Sequence, residues 1–89
     1  MYRVTLFCDG LPTIAGADAA RDIAKEFADH RQWHDRVSCD WNGSRLTLSS
    51  VNDFDESGLA TKDEFSDCIA AHVSNYEGAK ITVASISPV

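Results

Sequence analysis

Apolar and polar residues alternate from Tyr2 to Cys8, with Tyr2, Val4, Leu6 and Cys8 on one side and Arg3, Thr5 and Phe7 on the other. A period of two predicts a half-buried strand. Asp9-Gly10-Leu11-Pro12 interrupts it with turn-forming residues. From Gly16 to about Arg31 the period lengthens to that of a helix, with Ala20, Ile23, Ala24, Phe27 and Ala28 in one stripe. Alternation returns over Arg36 to Asn42, placing Val37, Cys39 and Trp41 inward. Asn42-Gly43 then predicts a two-residue hairpin turn with positive φ at both positions. The return strand, Ser44 to Val51, points Leu46 and Leu48 inward.

An acidic loop, Asn52 to Ala60, follows. Thr61-Lys62-Asp63-Glu64 has the spacing of a capping box, so a second helix is expected to start at Thr61. Its stripe is Phe65, Cys68, Ile69, His72, Val73 and Tyr76, and Gly78 offers a left-handed stop. Ala79 to Ser87 is the last strand, with Ile81 and Val83 inward and Pro88 at its end. The apolar phase shifts at Ala84 and Ile86, which predicts a bulge near Ser85.

The order is therefore strand, helix, strand, strand, helix, strand. Right-handed crossovers in both halves put the two helices on one face of a four-stranded antiparallel sheet. This is an α+β sandwich of the ferredoxin-like βαββαβ kind, and 89 residues suffice for one such domain, 1–89. The 44% hydrophobic and 25% charged fractions are those of a globular chain rather than a disordered one.

The formal net charge of −6 sets the chain against nucleic acid and anionic membranes, which select basic surfaces. Strands one and three offer a single outward aromatic, Phe7, too few to stack bases. Arg3, Arg36, Arg45 and Lys80 nevertheless take outward positions on the four strands. The sheet face is thus expected to be more basic than the helical face. Cys8, Cys39 and Cys68 have neither an even count nor a C-x-x-C spacing, so no disulfide framework or zinc motif is read from them. Each falls in phase with core residues. With no apolar leader and no membrane-length apolar run, a reducing, cytoplasmic location is expected.

Chemical candidates are few. His30 and His72 stand near helix ends, where a cation suits the dipole. His34 lies beside Asp35, but adjacent side chains point apart, so no catalytic pair is expected there. One motif has several residues in register. Asp53, Asp55, Ser57, Gly58 and Glu64 match the spacing of an EF-hand loop, with Leu59 supplying a carbonyl and Thr61 holding a water. The same residues also read as turn formers followed by a helix cap. Calcium in this loop is the only cofactor considered. The expected function is a small intracellular binding or regulatory domain that contacts a protein partner, as a monomer or weak homodimer. A calcium-binding domain is the first alternative. A small dimeric enzyme is the second, and a non-enzyme is the expectation.

Overall fold

The computed structural model describes residues 1–89. Strand β1 (Tyr2–Asp9) leads through a 3-10 turn (Thr13–Ala15) into helix α1 (Gly16–His30). Strands β2 (Asp35–Trp41) and β3 (Arg45–Asn52) form the central hairpin. Helix α2 (Leu59–His72), a second 3-10 turn (Tyr76–Gly78) and strand β4 (Lys80–Pro88) complete the chain. The strands lie in the order β2-β3-β1-β4, and every neighbouring pair is antiparallel. This is the expected ferredoxin-like α+β arrangement.

The inward parity of each strand follows the alternation. Leu6 and Cys8 face Leu48 and Leu46 of β3, and with Val4 meet Ile23 and Phe27 of α1 and Phe65, Cys68 and Ile69 of α2 in one buried cluster. Burying each large side chain contributes about 1.5–3 kcal/mol. The β4 phase shift is a bulge: Thr5 faces Ser85 but Leu6 faces Val83, leaving Ala84 as the extra residue. Ile86 thereby returns to the inward side opposite Val4. A second bulge, without a signal in the pattern, lies in β2. Asp35 faces Val51 and Ser38 faces Ser49, so Arg36 and Val37 share one partner position. Arg36 takes a left-handed φ of 50° there.

Three local expectations are corrected. At the hairpin, Asn42 does not have positive φ; the two central residues are Gly43 (φ 102°) and Ser44. Asn42 occupies the preceding position, where its side-chain oxygen accepts the N–H groups of Ser44 and Arg45 at 3.0 and 2.8 Å. A turn with positive φ at the first central position alone is of the II′ pattern. Helix α2 begins at Leu59, not Thr61, because Gly58 (φ 79°) turns the chain two residues earlier. It ends at His72, and the left-handed residue beyond it is Asn75 (φ 57°), not Gly78.

Candidate functional site

The residues of the acidic loop are organised from Asn52. Its side chain is buried, and its oxygen accepts the N–H groups of Phe54 and Asp55 at 3.2 and 2.9 Å. That closes a side-chain-mediated turn and directs the Asp55 carboxylate inward. Asp55 then caps α2: it accepts Ala60 N–H at 3.3 Å, Thr61 N–H at 2.7 Å and the Thr61 hydroxyl at 2.6 Å. Burial pushes the Asp55 carboxyl up, but the Thr61 hydroxyl and the N–H groups of Thr61 and Ala60 outweigh it, so it lies below the ordinary carboxylate value. Gly58 suits the turn through its φ of 79°, and a Cβ there would also press on Ile86 Cδ1 at 2.8 Å.

Glu64 does not reach back toward Thr61. Its carboxylate points to the α1–β2 connection, where Oε1 accepts Trp33 Nε1–H at 2.8 Å and the Arg31 guanidinium at 3.3 Å. Its Oε2 lies 2.5 Å from His34 Nε2. The other ring nitrogen of His34 faces the Asn52 amide at 3.5 Å, and the same amide approaches the Thr61 hydroxyl at 3.4 Å. Because the Asn52 oxygen is committed to two backbone N–H groups, its NH₂ must face His34 Nδ1. The imidazole proton therefore sits on Nε2 and is donated to Glu64. One chain of polar contacts thus runs from Glu64 through His34, Asn52 and Thr61 to Asp55.

The metal-loop residues are accordingly divided. Asp53 is exposed, Ser57 accepts the Leu59 N–H at 3.3 Å, and Leu59 opens the helix. Asp55 is committed to Ala60 and Thr61, and Glu64 to Arg31, Trp33 and His34. The structure contains no group of three or more His, Cys, Asp or Glu side chains spaced to hold a metal ion.

Nor does the His34–Glu64 pair present itself to a substrate. The His34 side chain has no exposed surface, and its ring is packed against Phe27, Trp33 and Phe54 at centroid distances of 5.1, 6.1 and 5.9 Å. Trp33 and Phe54, by contrast, are 54% and 49% exposed. The buried pair thus supports two exposed aromatic rings. The sequence reading missed this arrangement, because Glu64 is separated from Trp33 and His34 by 31 and 30 positions. A Trp-His step just before a strand, with a Phe in the facing loop, was the only available signal.

Elsewhere the charges are largely neutralised among themselves. On the outer sheet face Arg45 lies over Phe7 at 4.1 Å and forms two hydrogen bonds to Asp9, at 2.9 and 3.2 Å. Asp9 is opposite Lys80, while Asp35 and Asp40 share the parity of the outward residues. The face is mixed in charge rather than basic, because strand β1 extends through Asp9 and β2 starts at Asp35. A groove of about 190 Å³ between the helices is lined by Asp22, Lys25, Glu26, Asp29, His30 and His72. There Lys25 pairs with Asp29, and Glu26 is shared by Arg31 and His72. Cys8 and Cys39 are pushed up to about 11 and 12, chiefly by burial, which makes both poor nucleophiles. No helix is long and apolar enough to cross a membrane.

The chain matches no protein-family model, and no curated protein matches it.

Proposed function

We propose that the chain is a small binding or regulatory domain that contacts a protein partner through the end of the molecule carrying Trp33 and Phe54. One observation carries this reading: Trp33 is half exposed and yet held in a fixed orientation by its hydrogen bond to Glu64. An exposed ring that is already immobilised loses little further entropy on binding. Tryptophan is also the residue most enriched among those that dominate binding energy at protein interfaces. The His34 ring beneath it, pinned from both nitrogens, makes the platform stiff. Nothing in this arrangement requires bond-making chemistry.

The domain acts as a monomer or weak homodimer. Its edge strands are β2 and β4, and each carries a bulge that interrupts regular pairing with another chain. Pro88 removes a further donor from the β4 edge. The three cysteines, all free thiols, suit a reducing cytoplasmic location.

Site-specific photo-crosslinking tests the surface. A crosslinking residue is placed at Phe54 in one variant, at Thr47 on the outer sheet face in a second and at Ile14 at the opposite end in a third. The captured partner is purified and recombined with the wild type and with Trp33→Ala. Capture from position 54 and weakened binding by Trp33→Ala are expected. Capture from position 47 or 14 alone, with Trp33→Ala binding like wild type, would refute the assignment.

A further inference from the structure

Resting on that docking surface, we infer that its occupant is a basic peptide segment that presents an apolar side chain beside Lys or Arg. Two aromatic rings define the apolar part. Trp33 and Phe54 come from different loops and lie on the same buried ring, His34. The rim defines the charge. Asp53 precedes Phe54 and Glu56 follows it by two residues, and both are exposed. The Asn52–Gly58 loop carries these two exposed carboxylates and no cation, its third carboxylate, Asp55, being buried in the helix cap. Asp35, next to His34, is exposed as well.

The cations nearby do not cancel this rim. Arg31 is engaged by Glu64 and Glu26 at 3.3 and 3.8 Å. Arg36 is exposed beside Asp35 on β2 and offsets it, Arg3 lies on β1, and Lys62 on α2 is only partly exposed, so the charge of the rim rests on Asp53 and Glu56. An approaching apolar segment thus meets carboxylates at the edge of the aromatic pair, and Lys or Arg flanking its apolar side chain gains charge complementarity and a faster encounter.

The same rim argues against other occupants. A second copy joined by a two-fold axis would set the same patch against itself, acids included. Nucleic acid and anionic lipid would meet carboxylates where they need cations.

Three synthetic peptides of equal length and helical spacing serve as probes: one of Lys and Leu, one of Glu and Leu, one of Lys and Ser. Binding is followed by fluorescence anisotropy of the labelled peptide. The Lys/Leu peptide is expected to bind saturably, with each of the others at least tenfold weaker. Trp33→Ala and Phe54→Ala should each weaken it at least tenfold. Ile14→Ala, which removes a 91% exposed side chain at the other end, should leave it unchanged. Asp53→Asn combined with Glu56→Gln should weaken binding and flatten its salt dependence. Because all of these side chains are exposed, thermal melts should confirm that the variants stay folded.

Equal binding of the Glu/Leu peptide through Trp33 and Phe54 would overturn the basic class while leaving the docking surface standing. Lys/Leu binding indifferent to both aromatic substitutions would overturn the inference. Binding of no peptide would do the same, and the crosslinking from position 54 then decides the docking surface separately.

Discussion

Replacing Asp55 tests the polar network at its most committed point. The carboxylate is 4% exposed and accepts three hydrogen bonds, two from the first turn of α2 and one from a fully buried hydroxyl. Loss of a helix cap costs about 1 kcal/mol. Hydrogen bonds to a charged group contribute roughly 1.5–3 kcal/mol each, although not additively. Asp55→Ala also strips the buried Thr61 hydroxyl of its acceptor. A loss of about 3–5 kcal/mol is therefore expected, against a total stability of roughly 4–13 kcal/mol for a domain of this length. Asp55→Asn keeps the shape but turns an amide NH₂ toward an N–H on one side, and should lose about 2 kcal/mol. Asp53→Asn, at an exposed neighbour, should stay within about 0.5 kcal/mol. Urea denaturation followed by circular dichroism measures all three, with the slope against urea unchanged.

The pH dependence has a definite sign. The folded carboxyl lies below its ordinary value, so its stabilisation is fully present above the unfolded value of about 4. It is lost as pH falls through the folded value. The gap between wild type and Asp55→Asn should therefore narrow on acidification below about pH 4. An Asp55→Asn protein as stable as wild type at neutral pH would show that the capping account of the loop is wrong.

Glycine positions give a graded comparison. Gly10→Ala adds a Cβ at 2.1 Å from the Gly78 carbonyl oxygen on a φ of 89°, and should lower stability by at least about 2 kcal/mol in the same urea assay. Gly43→Ala meets only the strain of φ 102° with open space around it, and should lose about 1 kcal/mol. Thiol labelling at pH 8 should leave Cys8 and Cys39 unmodified in the native protein and modify all three cysteines in denaturant. Calcium titrated to several millimolar should give no saturable amide shift between Asp53 and Phe65, because Asp55 and Glu64 already serve other groups; shifts abolished by both Asp53→Ala and Glu64→Gln would contradict this.

Element types and the sheet arrangement were legible because alternation and helical stripes are governed by burial, a signal repeated over many residues. The β4 bulge was legible for the same reason: Ile86 has to return to the core. What escaped the pattern was set by single side chains acting over distance. Thr61 and Glu64 have the spacing of a capping box, yet Asp55 takes the capping role and frees Glu64 for Trp33 and His34. Asn42-Gly43 suits either of two turn registers, and the Asn42 side chain decides between them. The β2 bulge leaves no trace because Arg36 is exposed and breaks no apolar phase. The candidate surface was not legible, because no periodicity at Trp33 or Phe54 tells that both rings stand exposed beside the core.

The strand order has a consequence for how the molecule assembles. Strand β1 is flanked by β3 and β4, and β2 touches only β3. Within residues 1–43, β1 and β2 are therefore never neighbours; within residues 44–89, β3 and β4 are not neighbours either. Neither half contains a strand pair of its own, so neither reaches its native sheet without the other. The halves interlock like the fingers of two hands. Cut at the Gly43 turn, the two fragments should each remain unstructured and regain the sheet only when mixed. Formation of the aromatic platform waits on the same event, because Trp33 and His34 lie in the first fragment and Glu64 in the second.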